Sequence, residues 1–121
     1  MSGSLKEKSE RCWTLALELR ENGDFNNCAS RMYYAVFQAV KAYAVKKRGY
    51  DPNDKSTKVH NAMYHIVKEK MGTYYATYED MREFRNTADY DQDDVPPGGI
   101  TQHIVKQAEE IKKHFLDEAD Q

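Results

Sequence analysis

The chain has 121 residues, of which 40% are hydrophobic and 31% are charged, and its formal net charge is −2. This length and composition suit one soluble domain and exclude a disordered chain, while the charge argues against a broadly basic surface for duplex DNA. No apolar run is long enough to cross a bilayer, so we expect one cytoplasmic domain over residues 1–121, ordered from about 5 to 118, with no membrane partner.

The first two predicted helices are separated by a single glycine turn. Apolar residues recur at helical spacing over about residues 5–22 and stop at Gly23. Asp24 is a suitable N-cap for a second helix that runs to about residue 48 and ends at Gly49. Apolar side chains cover most of the circumference of this helix, which predicts that it is the central one.

Three more helices follow. Ser56 or Thr57 can cap a third helix that stops at Gly72, and a fourth spans about residues 75–90. A segment over residues 91–99, rich in Pro and Gly, separates it from a last helix that begins at Ile100 and frays after Leu116. Strand alternation is absent and the connections are short. The sequence therefore predicts an all-α fold, an up-and-down bundle of four main helices plus one shorter helix.

A stripe of polar side chains interrupts the apolar second helix. Its members lie three, seven and ten residues apart and so share one face: Arg31, Tyr34, Gln38 and Lys41. Gln38 and Lys41 fit a solvated face as well as a site. Arg31 and Tyr34 lie among small and aromatic residues, where we expect them to be enclosed in the middle of the bundle.

A second polar cluster occupies the run from Arg85 to Tyr90 on the fourth helix. Arg85 and Asp89 fall one turn apart on one face, with Asn86 and Tyr90 beside them. One interpretation is an ion pair that joins neighbouring helices, and the other is a guanidinium that recognises phosphate. The two roles compete, because a carboxylate that neutralises Arg85 weakens its hold on phosphate. We expect this cluster to meet the stripe on the second helix.

The remaining chemistry-bearing side chains form no familiar motif. His60 near the start of the third helix has an imidazole that titrates near neutral pH, but a lone histidine of this kind is more often a surface or capping residue. The other three histidines are expected at the surface: His65, His103 and His114. Cys12 and Cys28 are expected as reduced core residues. No ligand spacing indicates a metal site, so neither a metal nor another cofactor is expected.

Tyrosine is unusually frequent, with nine residues. Tyrosine packs as an apolar plate while its hydroxyl needs a hydrogen-bond partner, so this composition indicates internal polar networks, a subunit interface or a pocket. Tyr74, Tyr75 and Tyr78 would form a docking surface if they are exposed. If the monomer buries them, that interpretation loses its main support.

Three sequence blocks together resemble the HEPN domain family, in its small prokaryotic helical-bundle branch. They are Ala29-Ser30-Arg31-Met32-Tyr33-Tyr34-Ala35-Val36-Phe37, then Lys58-Val59-His60, then Arg85-Asn86-Thr87-Ala88-Asp89-Tyr90. The resemblance runs from about residue 5 to 118 and implies a five-helix bundle that tends to form homodimers. Some members of the family are metal-independent ribonucleases, often toxins paired with a minimal nucleotidyltransferase antitoxin. Others bind nucleotides or RNA, or serve as accessory modules.

The chain departs from the pattern of the ribonuclease members. These carry an arginine followed after four to six residues by a histidine, whereas Arg85 is followed at those positions by Tyr90, Asp91 and Gln92. A tyrosine with an ordinary pKa of about 10 is a poor proton shuttle at neutral pH. Catalysis would therefore need His60 to be brought in from another helix.

Three functional hypotheses follow from the resemblance and this departure. The first is a HEPN-like module, associated with a toxin–antitoxin or nucleotidyltransferase system, that binds a nucleotide, RNA or a partner protein without typical ribonuclease activity. Its ligand-binding or dimer-seam residues would be Arg31, Tyr34, Arg85, Asn86, Asp89 and Tyr90. The second is a purely structural bundle that docks a partner such as a nucleotidyltransferase. The third is a divergent ribonuclease toxin whose catalytic candidates are Arg85, His60 and Tyr90.

Overall fold

A computed structural model describes residues 2–90, 94–96 and 98–121, with side chains from residue 5 onward. The described chain forms five α-helices and one 3-10 turn over Gly72–Tyr74. The helices are α1 (Ser2–Glu21), α2 (Phe25–Arg48), α3 (Thr57–Lys70), α4 (Tyr75–Tyr90) and α5 (Gln102–Ala119). No strand occurs in these ranges. The predicted all-α bundle, with α3 as its shorter helix, is confirmed.

The α2 helix is the centre of the bundle, as predicted. Its N-terminus is capped by Asp24, whose carboxylate accepts a hydrogen bond from the backbone N–H of Asn27 at 3.2 Å. It ends at Gly49, which has a φ of 71° and donates its N–H to the carbonyl of Ala44. All four other α-helices pack against α2, because its small and apolar residues present a buried surface on most sides.

The ends of α1 and α5 differ from the predicted ones. Helix α1 begins at Ser2 rather than near residue 5, and α5 begins at Gln102 after Thr101, whose hydroxyl accepts from the N–H of Ile104 at 3.2 Å. The prediction that α5 frays after Leu116 is wrong. The helix continues to Ala119 because both residues are buried, and the ion pair between Lys6 and Asp120, 2.5 Å long, ties the last turn to α1.

The connection between α4 and α5 is held to the start of α2. Asn26 donates its side-chain N–H to the carboxylate of Asp94 at 2.8 Å, and its amide oxygen accepts from the backbone N–H of Val95 at 2.7 Å. Val95 is buried. Of the predicted Pro- and Gly-rich segment, residues 91–93 and 97 lie outside the described residues.

Within the described ranges, no helix combines the length and the apolar character needed to cross a membrane.

Candidate functional site

The Arg85 guanidinium is surrounded by acceptors from its own chain. Its side chain is 13% exposed. Nη2 donates to the hydroxyls of Tyr34 at 2.5 Å and Tyr90 at 3.1 Å, and Nη1 donates to the amide oxygen of Asn86 at 3.2 Å. Nε lies 3.0 Å from the Asp89 carboxylate, as an ion pair rather than an aligned hydrogen bond. Each guanidinium nitrogen therefore already faces an acceptor that the protein itself supplies.

Three tyrosine rings add to this environment. The guanidinium carbon of Arg85 lies 5.7, 5.2 and 4.9 Å from the ring centroids of Tyr33, Tyr34 and Tyr90, within cation–π distance. Burial disfavours the charged form, but the neighbouring Tyr34, Tyr90 and Asp89 outweigh it and raise the pKa of Arg85. The side chain is thus a permanent cation. The predicted meeting of the Arg85 cluster with the α2 stripe takes place at Tyr34, and the geometry favours the helix-joining interpretation over a free phosphate ligand.

His60 is not the surface or capping residue that a lone histidine most often is. Its ring stacks on Phe37, with centroids 4.4 Å apart, and on Tyr33, with centroids 5.8 Å apart. The Tyr33 hydroxyl lies 2.7 Å from Nδ1 of His60. Burial lowers the pKa of His60, and the nearby Arg85 and Arg82 lower it further. His60 is therefore neutral at pH 7, and when Tyr33 donates to Nδ1 the ring proton resides on Nε2.

Two adjoining cavities open along the polar stripe of α2. The first cavity, of about 540 Å³, lies against α1, and the stripe contributes Arg31, Tyr34 and Gln38 to its wall. The second cavity, of about 400 Å³, lies under the loop at 52–56 and the start of α3, and the stripe contributes Tyr34, Gln38 and Lys41. The spacing in the sequence thus identified one continuous wall of both cavities.

The burial of the stripe contradicts the prediction at Arg31, and at Lys41 it decides between two alternatives that the sequence left open. Arg31 is exposed, because the wall it belongs to opens toward solvent there. Lys41 is only 8% exposed, and its Nζ donates to the carbonyl of Asp54 at 3.3 Å because the α2–α3 loop covers it. Gln38 is half-buried, and its amide oxygen has no hydrogen-bond partner within the described part of the chain.

Sequence reasoning missed the contribution of α1 and of the α2–α3 loop. Lys8 and Arg11 on α1 line the first cavity, and Lys8 reaches the second as well, where Lys55 joins it. The signal was present, since Lys8 and Arg11 are three residues apart and share a helix face. Only the packing of α1 on α2 shows that this face borders the stripe.

The tyrosines at the start of α4 form no exposed aromatic patch. Tyr78 is fully buried, and Tyr74 and Tyr75 are half-buried. Tyr75 packs edge-on against Tyr64, with centroids 6.0 Å apart. The docking interpretation therefore loses its main support. Tyr90, in contrast, is 70% exposed.

The remaining histidines and cysteines play smaller parts. His65 and His103 are exposed as predicted, but His114 is half-buried, with Nε2 3.6 Å from Glu118. Both cysteines are free thiols, and burial raises the pKa of Cys28 to about 11. Across residues 2–90, 94–96 and 98–121, no three His, Cys, Asp or Glu side chains converge as metal ligands would.

The sequence model of the HEPN domain matches residues 3–118, nearly the whole chain. No curated protein sequence matches with significance.

Proposed function

The chain belongs to the HEPN domain family, and on that premise we propose that it binds a nucleotide or RNA without the ribonuclease activity of some members. The observation that carries this proposal is the state of Arg85. Its nitrogens already face Tyr34, Tyr90, Asn86 and Asp89, and no histidine follows it after four to six residues.

Arg85 would lose existing contacts if it bound a scissile phosphate. A phosphate oxygen would have to replace at least one tyrosine hydroxyl or the Asp89 carboxylate, and the displaced Asp89 would then repel the phosphate. Stabilising a transition state requires donors that are free and already aimed at the developing charge. The donors of Arg85 meet neither condition, because they already face acceptors of their own chain.

The cavity wall is better suited to a bound ligand than Arg85 is. Arg31 is exposed at the edge of the first cavity, and the ring of Tyr34 borders both cavities. These two residues supply an exposed cation and an aromatic side chain, the groups that hold phosphates and bases. Asn86, Asp89 and Tyr90 contact Arg85. They would then either support this ligand-binding site or form part of a dimer seam.

A divergent ribonuclease is the second candidate, and one contact favours it. Tyr34 bonds Arg85 through its hydroxyl and packs edge-on against His60, with ring centroids 6.4 Å apart. Two of the three catalytic candidates, Arg85 and His60, therefore contact the same tyrosine. Ribonuclease chemistry needs a general acid as well as a base. A histidine whose pKa is lowered by burial is a weak acid donor at neutral pH because it is mostly deprotonated.

The proposal also includes two protein partners. The family resemblance suggests a homodimer and a minimal nucleotidyltransferase within a toxin–antitoxin-type system. Tyr90 supports a protein contact in this region. Its large aromatic side chain is 70% exposed, and its burial by a partner would be favourable.

The proposal is tested by binding and cleavage with the same purified protein. Fluorescence anisotropy with labelled nucleotides and short RNAs should show saturable binding, and total RNA should remain intact at high protein concentration. Absence of binding would remove the ligand part of the proposal.

Cleavage would favour the ribonuclease instead, provided that Arg85→Ala abolishes it while the protein stays folded. The matched control is Arg82→Ala, since Arg82 lies on the same helix and bonds Asn61 at 2.9 Å. Circular dichroism confirms the fold of both variants.

A further inference from the structure

The two cavities are lined by a local excess of positive charge. The chain as a whole has a net charge of −2. Within residues 5–90, 94–96 and 98–121, the side chains that line the two cavities nevertheless include one carboxylate, that of Asp54, and five basic groups: Lys8, Arg11, Arg31, Lys41 and Lys55. Asp54 is already engaged, since its carboxylate accepts from the backbone N–H of Ser56 at 2.9 Å. The lining is therefore suited to an anion.

The positive charges extend along both cavities rather than gathering at one point. Arg11 and Arg31 belong to the first cavity, Lys41 and Lys55 to the second, and Lys8 to both. Lys41 uses one of its three ammonium donors on the Asp54 carbonyl. A compact anion would contact only part of this series. A ligand with several spaced negative charges would contact all of it.

The cavities also offer flat aromatic surfaces between the cations. Tyr34 borders both cavities and His60 lines the second, whereas Phe37 is buried and its ring already stacks on His60. The Tyr34 ring is held in place, because its hydroxyl accepts from Arg85 at 2.5 Å. Unpaired bases stack on such rings, and alternation of cations with aromatic faces is the usual construction of single-strand binding grooves.

The sizes of the cavities agree with this type of ligand. About 540 and 400 Å³ fall in the range of roughly 300–1,000 Å³ that is typical of small-molecule sites, enough for one nucleotide each. Lys8, Tyr34 and Gln38 line both cavities and so mark the boundary between them. A ligand that passes this boundary would place a backbone charge beside Lys8.

We infer that the joined cavities are a groove for single-stranded nucleic acid that holds two successive nucleotides, one in each cavity, with the linking phosphate at Lys8 beside Tyr34. This inference rests on the proposed nucleotide or RNA binding and gives it a location that Arg85 borders through Tyr34 but does not itself line. RNA and DNA share the phosphates and bases that the groove contacts, so the experiment includes both. A duplex is a poor ligand, because its bases are already stacked and paired.

The first experiment compares ligands of different length by fluorescence anisotropy. The probes are a labelled mononucleotide, a dinucleotide, a hexanucleotide of RNA, the same hexanucleotide of DNA, and a duplex. The dinucleotide should bind about tenfold more tightly than the mononucleotide, because it adds a second stacked base and a phosphate at Lys8. Equal affinity of the two, or tighter binding of the duplex, would overturn the inference.

The second experiment removes charge from the groove without disturbing the core. Lys8 and Arg31 are exposed, so Lys8→Ala/Arg31→Ala should fold normally and weaken hexanucleotide binding about tenfold, with a shallower salt dependence. The matched control is Lys68→Ala/Lys113→Ala, which removes two exposed lysines that line neither cavity. Equal affinities of the two variants would place the ligand elsewhere on the molecule.

A third variant pair separates stacking from hydrogen bonding. Tyr34→Phe keeps the ring and loses only the bond to Arg85 that holds it, so it should bind more tightly than Tyr34→Leu, which also loses the stacking face. If Leu binds as well as Phe, Tyr34 is not a stacking surface and the groove is wrong. If the unaltered protein binds none of the probes, the proposed function fails together with this inference. Binding that survives every groove variant leaves the proposed function standing and overturns the groove alone.

Discussion

The groups around Arg85 indicate that this cation has a structural role. A guanidinium that ligands are expected to reach is usually left with donors to spare. Here the acceptors come from Tyr34 on α2 and from the residues that follow Arg85 on α4, so the side chain links the two helices. Ser30 adds to the same link, since its hydroxyl donates to the Asp89 carboxylate at 3.4 Å.

Replacement of Arg85 should therefore cost stability. Arg85→Ala removes the donor to the Tyr34 hydroxyl and the ion pair of the Asp89 carboxylate, and we expect the free energy of unfolding to fall by about 2–3 kcal/mol. Arg85→Lys should recover less than half of this, because an ammonium cannot bond several acceptors in one plane. Urea denaturation followed by circular dichroism measures both. A lysine variant as stable as the unaltered protein would contradict this account.

His60 makes stability depend on pH in the weakly acidic range. Burial lowers its pKa below the value of about 6.5 that it has when unfolded. The folded protein therefore binds fewer protons than the unfolded chain once the pH falls below that value. The contribution of neutral His60 to stability is complete above pH about 6.5 and is lost as the pH falls toward the folded pKa.

Removal of the imidazole should flatten this dependence. Between about pH 7 and pH 5, the free energy of unfolding measured with urea should fall less in His60→Gln than in His65→Gln. His65→Gln is the control because the His65 side chain is exposed. An NMR titration of His60 should give a pKa below about 6.5. Identical pH profiles for the two variants would show that His60 is not buried in its neutral form.

At the scale of the elements, local sequence signals account for most of the helix ends. Asp24 and Gly49 define α2 because a capping carboxylate and a left-handed glycine act within one turn. The end of α5 was missed because Leu116 and Ala119 are buried by contacts with distant parts of the chain. For the same reason, helical spacing identified the stripe on α2 but not which of its members are covered. The α2–α3 loop that buries Lys41 lies outside any pattern on α2.

Lys41 offers a test of how the stripe is built. Burial lowers the pKa of Lys41, although Asp54 partly opposes the shift. Lys41→Met keeps most of the buried stem and removes the desolvated charge, so we expect a protein of equal stability or one about 1 kcal/mol more stable. Lys41→Ala instead leaves a void, and should be less stable by about 1–2 kcal/mol. Thermal and urea unfolding would contradict this if the methionine variant were the weaker of the two.

At the scale of the whole molecule, the exposed surface divides into regions of different character. One region is the basic lining of the two cavities. Another is the surface at Tyr90, which lies beside the Arg85 cluster and is the most exposed large hydrophobic side chain of the described chain. Three short blocks in order predicted the family, and helical spacing with short connections predicted the bundle. The sequence did not predict that α1 completes the cavities, because that depends on how two helices pack.

The proposed homodimer gives a prediction at this scale. If Tyr90 lies in the dimer seam, Tyr90→Asp should weaken dimerisation by about tenfold or more, since a buried carboxylate without a partner is unfavourable. Sedimentation velocity over a range of concentrations measures the shift toward monomer. Tyr50→Asp is the control, because Tyr50 is also an exposed tyrosine, at 37%. A dimer unaffected by Tyr90→Asp would place the seam on another face.

The two thiols differ in reactivity, so that Cys12 can report on ligand binding in the first cavity. Cys12 borders the first cavity and is half-buried, while Cys28 is enclosed and its pKa of about 11 leaves almost no thiolate at neutral pH. An alkylating reagent should therefore modify Cys12 first. Mass spectrometry of the modified peptide would then follow occupancy of that cavity in the native chain, without an engineered label.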